Sequence, residues 1–324
     1  MALYRPNAPA TRNGVSPSCV VLPTGPWATV ADFLFQRFPG VPASVWLQRM
    51  ERGDVVDDQG IAVTHQCAYT ATRRLYYYRA VEAEPRIPFE AVVLWQDAHL
   101  LVVDKPHFLP VLPSGKYLQE TVLVRLKNAL GLHSLSPIHR IDRDTAGLVL
   151  FSVQPATRDA YQALFRDRTV TKTYEANAPW RTDLTWPQRR ETRIAPGPHF
   201  MQQVEVDGPP NTLTHIDVAE VMNVVGMEDG PHTTLARYRL TPVTGHRHQL
   251  RVHMAALGLP LVGDGIYPTL TPEGQVDYQR PLQLLAKTIA FTDPITGQPR
   301  QFISQRTLRS LAEIQNDSEQ PGMK

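Results

Sequence analysis

The stretch from His139 to Gly147 reads HRIDRDTAG and leads directly into the apolar run Leu148 to Val153, LVLFSV. A short apolar run of this kind, entered through a glycine, is typical of a strand buried in a sheet. The charged residues before it are therefore predicted to form a loop that enters a buried strand. Loops at strand ends often carry catalytic side chains, because the sheet fixes the backbone while the side chain stays exposed.

Asp142 is the carboxylate of this loop that we single out, and Arg140 and Arg143 flank it. A salt-bridged surface turn explains the same residues. On spacing alone that explanation is favoured, because Arg and Asp intermix on many protein surfaces and contribute little stability there.

A second charged stretch, from Thr244 to Tyr267, reads TGHRHQLRVHMAALGLPLVGDGIY. Its spacing predicts a helix over Arg247 to Leu257, on which Arg247 and Arg251 share a face. His248 and His253 do not have the i, i+4 spacing of a zinc-binding helix, and no cysteine or third carboxylate is evident nearby. No metal site is expected.

The composition describes an ordinary globular protein. The chain has 324 residues, of which 42% are hydrophobic, enough for a sizeable core. Its net charge of +2 is too small to identify a nucleic-acid binder, so any such site must come from local patches. Cys19 and Cys67 have no CxxC partner, which argues against a disulfide framework and a zinc knuckle. No leader or membrane-spanning run is visible, so we expect a cytoplasmic protein that makes no membrane contact.

The chain divides by pattern into a small and a large domain. Residues 1–25 read as an irregular arm, 85–90 as a linker and 311–324 as a polar tail. Within 26–84, two helical patterns precede a hairpin pattern at Val55 to Val63. This order resembles the small S4-like RNA-binding domain, in a degenerate form without the dense basic face; a domain that only packs is the alternative.

The large domain, residues 91–310, is predicted to be α+β. Six runs read as strands: His99 to Asp104, Leu148 to Val153, Val170 to Ala176, Ile216 to Val221, Leu235 to Val243 and Leu284 to Phe291. Helical patterns occupy Glu120 to Leu130, Pro155 to Phe165 and Arg247 to Leu257, fewer than a doubly wound sheet needs. We therefore expect a largely antiparallel mixed sheet with flanking helices.

Several motifs together resemble one enzyme family. They are HRIDRDTAG, TKTYEA with Lys172 and Tyr174, TGHRHQLRVHMAALGLPLVGD, the opening DAHLLVVDKP and the closing LLAKTIAFTDPITG. In this order, over roughly Ala91 to Ser304, they resemble the RluA-type pseudouridine synthases. The resemblance implies a pseudouridine synthase-like catalytic domain that isomerises uridine in RNA without cofactor or metal, acting as a monomer.

The resemblance also implies roles for three residues. Asp142 would be the catalytic aspartate, either attacking C1′ or assisting glycosidic cleavage to a glycal, and both routes stay open. Arg251 would lie against Asp142 and hold its orientation. Tyr174 would stack on the uracil and assist removal of the C5 proton; a core aromatic on a strand is its alternative.

Extrusion of the target base from its stack costs a few kcal/mol that binding must supply. Arg140 would contact RNA and help to occupy the space that the base leaves. The other expected RNA contacts are Arg143, Arg166, Arg168, Lys172, Arg247 and His248, with solvated surface charge as the alternative for each arginine and lysine. Leu284 and Leu285 would flank the uracil, or belong simply to the core.

The chain departs from the family pattern at Ala146, at His246–Arg247 and at Leu285, where Ser, Arg–Thr and His are usual. These changes leave the Asp, Tyr and Arg in place but affect RNA contacts. We expect isomerisation of uridine in structured RNA, with ribosomal RNA ahead of transfer RNA. A noncatalytic RNA-binding or ribosome assembly factor is the second hypothesis, and a nucleoside-hydrolysing glycosidase is the third.

Overall fold

The fold is that of a computed structural model, which describes residues 9–79, 84–222, 234–272 and 276–314. The strands, in chain order, are β1 (Ser18–Val21), β2 (Val55–Asp57), β3 (Arg74–Tyr77), β4 (Val92–Gln96), β5 (Leu100–Lys105), β6 (Ser136–Pro137), β7 (Ala146–Ser152), β8 (Thr171–Pro179), β9 (Gln188–Pro196), β10 (Gln203–Val206), β11 (Thr212–Val221), β12 (Leu235–Pro242), β13 (Leu284–Thr292) and β14 (Pro299–Ile303). The helices are α1 (Val30–Arg37), α2 (Ala43–Glu51), α3 (Val122–Leu130), α4 (Arg158–Arg166) and α5 (Gln249–Ala256).

The chain divides into two compact units. The first comprises Met1–Arg86 and Leu112–His133, and the second Ile87–Val111 and Ser134–Lys324. Residues 112–133, which the domain prediction includes in 91–310, thus group with the N-terminal residues. The Glu84 carboxylate links them, because it accepts hydrogen bonds from the backbone amides of residues 118, 119 and 120 at 2.7, 2.9 and 2.7 Å.

The first unit contains a three-stranded sheet in the order β1-β3-β2 and the helices α1, α2 and α3. The two predicted N-terminal helices are confirmed. Thr29 and Asp32 form a capping box that fixes the start of α1. The apolar faces of α1 and α2 pack Phe33, Leu34 and Trp46 into one core cluster. Whether this unit is S4-like stays a prediction.

Two predictions for the first unit need correction or extension. Ser18–Val21 belongs to the segment predicted to be irregular, yet it pairs antiparallel with β3. The residues after Val55 do form a short hairpin, in which Val56 bridges Ala62 and the amides of residues 57 and 63 donate to the carbonyl oxygens of residues 61 and 55. However, β2 also pairs with β3, which the local pattern did not predict. In both cases the partner strand lies far along the chain, so a local pattern could not reveal the pairing.

The second unit is built on an 11-stranded sheet in the order β10-β9-β11-β12-β8-β13-β7-β5-β4, with β14 added to β13 and β6 to β7. Among the described strands, the pair β13–β7 is parallel and the other pairs of this sheet are antiparallel. The predicted α+β fold with a largely antiparallel mixed sheet is confirmed. Every residue of β5 and β7 is buried, which explains the apolar runs Leu100 to Val103 and Ala146 to Phe151 within them.

All six predicted strands of the large domain are present, but the sequence did not reveal β4, β6, β9, β10 and β14. The strand β9, for example, reads QRRETRIAP and alternates between half-buried and exposed side chains over most of its length. Its charges gave no apolar period, so only pairing with β10 and β11 makes it a strand.

The C-terminal residues that the structure describes are not a polar tail. Leu311 and Ile314, on one helical turn at 311–314, are buried in a cluster with Leu235. The rest of the predicted tail, 315–324, lies outside the described residues. Within the described ranges, no helix is long and apolar enough to span a membrane.

Candidate active site

The parallel pairing of β7 with β13 places the loop 138–145 beside the start of β13. Gly147 has a φ of +109°, and a Cβ at this position would lie 2.3 Å from the carbonyl oxygen of Ala286. Only glycine allows the two backbones to approach so closely. The close backbone approach at Gly147 is therefore made to β13.

A cleft of about 380 Å³ opens at this place in the second unit. Residues from five parts of the chain line it: His139, Arg140, Ile141, Asp142 and Thr145 of the loop, Phe165 near the end of α4 with Arg168 after it, Lys172 and Tyr174 of β8, residues 242–246 and 248–251, and Leu284 of β13. The two charged stretches of the sequence thus meet in one cleft, although they begin 105 residues apart, at His139 and Thr244.

Asp142 and Arg251 lie against each other in the cleft, as predicted from the resemblance. Arg251 Nη1 donates to Asp142 Oδ2 at 3.3 Å, and 28% of the Asp142 side chain is exposed while Arg251 is almost fully buried. The guanidinium is fixed from its other side, because Nε and Nη2 donate to Asp264 Oδ2 and Oδ1 at 2.8 and 2.6 Å. Burial by itself would lower the pKa of Arg251, but Asp264 and Asp142 raise it, so Arg251 stays charged.

His248 lies on the same side of the cleft. Its backbone is left-handed, with a φ of 56°, and it caps α5, which begins only at Gln249. Arg247 therefore precedes the helix, and the prediction that Arg247 and Arg251 share a helical face is wrong. The side chain of His248 is buried between Tyr267, whose hydroxyl is 3.0 Å from Nδ1, and Asp142, whose Oδ2 is 3.8 Å from Nε2.

Tyr174 lines the cleft from β8, where its neighbours across the sheet are Leu240 and Ala286. Burial raises the pKa of the Tyr174 phenol, and the charge of Asp142 raises it further. At neutral pH the phenol therefore carries its proton. An aromatic ring can stack on a base in this state without ionisation.

Buried donors hold the backbone of the loop just after Asp142. Lys105 Nζ donates to the carbonyl oxygen of Arg143 at 2.8 Å, and His107 Nδ1 lies 2.7 Å from that of Asp144. Burial lowers the pKa of Lys105 to about 7 and that of His107 to about 4. Two successive peptide groups of the loop are thereby tied to residues at and just after the end of β5.

The predicted RNA contacts fall into two groups. Arg140 and Arg168 are exposed on the cleft, and Lys172 is half-buried in it, with Nζ 3.3 Å from the carbonyl oxygen of Thr244. Burial lowers the pKa of Lys172, and the charge of Arg168 lowers it further. These three cations and His248 line the cleft.

The second group lies outside the cleft lining and is already engaged. Arg143 binds the carboxylate of Asp144, with Nε 2.8 Å from Oδ1. Arg166 is 3.4 Å from Asp159 on the surface. Arg247 donates to the carbonyl oxygens of residues 200 and 201 at 3.0 and 3.1 Å, and so holds the turn between β9 and β10.

Leu284 and Leu285 face opposite sides of β13, because side chains alternate along a strand. Leu284 lines the cleft, whereas Leu285 is fully buried in a separate cluster with Ala146 and Leu308. The prediction that both flank the cleft therefore does not fit Leu285. Its position fits the alternative that the sequence left open, a residue of the core.

The sequence reasoning did not identify Asp264 and Tyr267. Both lie at the end of the second charged stretch, and the backbone amides of Ile266 and Tyr267 donate to Asp264 Oδ1 at 2.8 and 3.0 Å. In the sequence, Asp264 stands between Gly263 and Gly265 within an apolar segment. This pattern is equally typical of an ordinary turn, so it did not single out Asp264. In the part of the chain that the structure describes, no cluster of three or more His, Cys, Asp or Glu could hold a metal ion.

Comparison with known proteins gives consistent results. A family described as RNA pseudouridylate synthase matches residues 99–256. The chain is 32% identical over 242 residues to an uncharacterized RNA pseudouridine synthase of Synechocystis, covering 73% of this chain and 78% of the relative. It is 31% identical over 224 residues to the dual-specificity RNA pseudouridine synthase RluA of Yersinia pestis, covering 65% and 97%.

A solved structure supports the same fold. The human RNA pseudouridylate synthase domain containing 1 protein superposes with a TM-score of 0.54 and 21% identity, over 75% of this chain and all of that one. At this identity the match speaks for the fold alone.

Proposed function

We propose, for a chain that belongs to the RluA-type family of RNA pseudouridine synthases, that the cleft around Asp142 isomerises uridine to pseudouridine in structured RNA. The observation that carries the proposal is the contact between Asp142 and Arg251, 3.3 Å apart at the wall of a cleft that Tyr174 and Leu284 also line. A partly exposed carboxylate held by a buried cation is the arrangement that chemistry at C1′ needs.

The reaction is an isomerisation and conserves every atom of the nucleotide. The bond between N1 and C1′ breaks, the uracil turns, and C5 forms a new bond to C1′. The C5 proton is then lost and N1 gains a proton, so that no oxidant, reductant or metal is required by the balance. A carboxylate can serve either as the nucleophile at C1′ or as the base that leads to a glycal.

The residues around Asp142 suit this chemistry. Arg251 orients the carboxylate and itself cannot turn away, because Asp264 holds two of its nitrogens. Tyr174 and Leu284 line the same cleft and give it apolar surface beside the carboxylate. The volume of about 380 Å³ lies within the range of roughly 300–1,000 Å³ that small-molecule pockets occupy.

A uridine must leave its stack to reach Asp142, and the cations of the cleft support that step. Arg140, Arg168 and Lys172 line the cleft beside the carboxylate. Their positive charges can bind the phosphates on either side of an extruded nucleotide. Arg140, the nearest to Asp142 in the chain, is the residue proposed to enter the space that the base leaves.

We propose ribosomal RNA as the substrate. The second compact unit contains the whole cleft, so the first unit is a separate folded body available for a further part of a large RNA. Transfer RNA is the other outcome of the test.

Incubation of the purified chain with unmodified RNA, followed by carbodiimide labelling, tests the proposal. Ribosomal and transfer RNA transcripts are used in separate reactions. A new adduct on one of them is expected with the wild type and not with Asp142→Asn, which should still bind RNA. An Asp142→Asn variant that remains active would contradict the catalytic role.

The same experiment distinguishes the remaining hypotheses. A noncatalytic RNA-binding protein would bind RNA and leave no new adduct. A glycosidase would release free uracil, which chromatography detects. Pseudouridine maps of total RNA from cells with and without the protein would then identify the modified uridine.

A further inference from the structure

We infer that His248 is a positioning residue for Asp142, rather than an RNA contact, and that Tyr267 sets its ring orientation and tautomer. This inference rests on the proposed role of Asp142. Arg251 is not the only group beside Asp142 Oδ2, because the imidazole of His248 faces the same oxygen.

Two side chains converge on Asp142 Oδ2. Arg251 Nη1 is 3.3 Å away and His248 Nε2 is 3.8 Å away. The second distance is too long for a hydrogen bond but places Nε2 next to the carboxylate oxygen that Arg251 also binds. Catalytic hydrogen bonds are often long without substrate and shorten when it binds.

The other nitrogen of His248 belongs to a chain of hydrogen bonds. The backbone amide of Gln203, on β10, donates to the Tyr267 hydroxyl at 2.7 Å, and that hydroxyl lies 3.0 Å from His248 Nδ1. The Tyr267 ring meets the imidazole at right angles, with the ring centres 5.7 Å apart. Tyr267 therefore contacts the imidazole through both its hydroxyl and its ring.

The direction of this chain assigns the tautomer. The Tyr267 oxygen already accepts the amide of Gln203, and within the described residues its proton has no other acceptor than His248 Nδ1. If Nδ1 accepts, the ring proton must be on Nε2, the atom that faces Asp142.

The charge state of the ring agrees with this assignment. Burial lowers the pKa of His248 to about 4; Asp142 and Asp264 raise it, and Arg251 and Arg247 lower it. Burial also raises the pKa of the Tyr267 hydroxyl. At neutral pH the pair is thus a neutral imidazole and a protonated phenol, so Nδ1 is free to accept.

The backbone conformation and the burial of His248 also favour a positioning role. His248 has a left-handed backbone conformation, which is uncommon outside glycine, and only 9% of the residue is exposed. An RNA contact needs an accessible side chain, whereas this ring lies between Tyr267 and Asp142 with only 7% of the side chain exposed. The enclosure favours a role that acts through Asp142.

Steady-state kinetics of two substitutions at one position tests the inference. An Asn side chain tolerates the left-handed backbone but reaches only about as far as Nδ1, whereas a Gln amide nitrogen can reach about as far as Nε2. We expect His248→Asn to lower kcat on the order of 10-fold with KM for RNA nearly unchanged. His248→Gln should recover part of kcat.

A second substitution leaves the unusual backbone untouched. Tyr267→Phe removes the hydroxyl that orients His248, and we expect a smaller loss of kcat. Combined with His248→Asn it should cost nothing further, because Tyr267 acts through the imidazole. Tyr238→Phe, which removes a hydroxyl bonded at 2.7 Å to the Pro179 carbonyl, is the matched control and should keep the wild-type kcat.

The outcomes are distinct. If His248→Asn raised KM and left kcat unchanged, His248 would be an RNA contact and the inference would be overturned. The inference would also be overturned if His248→Gln were no more active than His248→Asn, or if the kcat losses of His248→Asn and Tyr267→Phe simply added in the double variant. Circular dichroism and thermal melting check that each variant is folded. If His248→Asn does not fold, Tyr267→Phe alone decides, and a wild-type kcat in that variant overturns the inference. An active Asp142→Asn variant would instead refute the proposed function itself.

Discussion

Arg251 and Asp264 form a buried, two-point ion pair, in which Nε and Nη2 of the arginine donate to the two carboxylate oxygens at 2.8 and 2.6 Å. The Asp264 side chain has no exposed surface and that of Arg251 has 2%. Because a planar guanidinium held at two nitrogens cannot rotate, the remaining nitrogen, Nη1, has a fixed direction toward Asp142. The orientation of Asp142 thus depends on a residue 122 positions further along the chain.

Asp264→Asn should lower both stability and activity. Removing one charge of a buried pair leaves the other uncompensated, which costs about 3 kcal/mol or more of unfolding free energy. The kcat should fall as well, because Arg251 is free to turn away from Asp142. Urea denaturation and the carbodiimide assay measure the two effects. Asp183→Asn, in the exposed pair with Arg181, is the matched control and should leave both nearly unchanged; equal losses in the two variants would refute the prediction.

Gly147→Ala should destabilise the second unit, because the new Cβ would meet the Ala286 carbonyl oxygen at 2.3 Å where the backbone also has a φ of +109°. The clash and the conformational strain together should cost about 3 kcal/mol or more. Gly297→Ala separates the two causes. Gly297 has a φ of +71° but no atom within 4 Å of the added Cβ, so about 1 kcal/mol is expected. Chemical denaturation of both variants gives the comparison, and similar losses would show that the close approach is unimportant.

Acid should destabilise the protein through His253. This histidine is fully buried among Thr192, Thr212 and Thr214, whose hydroxyls lie 2.9 to 3.1 Å from its ring nitrogens. Burial lowers the pKa of His253 from 6.5 to about 4, against the opposing charge of Glu205. Between these values the unfolded chain binds more protons than the folded one, so stability is complete above pH 6.5 and falls as the pH drops toward 4.

The His253 contribution to this loss should reach about 3 kcal/mol. A His253→Gln variant has an amide that can bond the threonines but cannot titrate. It should be less stable than the wild type at pH 7, and the difference should shrink at pH 4.5 in urea denaturation. His215→Gln, at an exposed position of β11, should retain the acid sensitivity of the wild type. A constant difference between wild type and His253→Gln would contradict the prediction.

Arg140→Ala should weaken RNA binding more than it changes kcat. Arg140 is exposed on the cleft, and within the described residues its guanidinium makes no ion pair. Loss of one phosphate contact should reduce the slope of log K against log salt by about 1. Binding titrations at several salt concentrations measure this slope. Arg189→Ala, in an exposed pair with Glu191 on β9, is the control; an unchanged slope for Arg140→Ala would exclude a phosphate contact there.

The sequence was most informative where a pattern is local. The run after Gly147 identified β7, because a strand buried on both faces must be apolar throughout. Spacing likewise identified α1, α2 and α4 to within a few residues. It did not reveal β9 or β1, whose residues become strands only through partners elsewhere in the chain.

The α+β class, the family motifs and the candidate residues Asp142, Tyr174 and Arg251 can be read from the sequence. These follow from local periodicity and from ordered motifs, which chain connectivity preserves. Beyond the pair Asp142–Arg251, the partners of these side chains follow only from the tertiary structure. The fold pairs Arg251 with Asp264 and packs His248 against Tyr267. It also buries Leu285 in the core and gives Arg143 and Arg247 hydrogen-bond partners outside the cleft lining. The reason is that a side chain's direction and its partners depend on long-range backbone pairing, which leaves no mark on the spacing of residues along the chain.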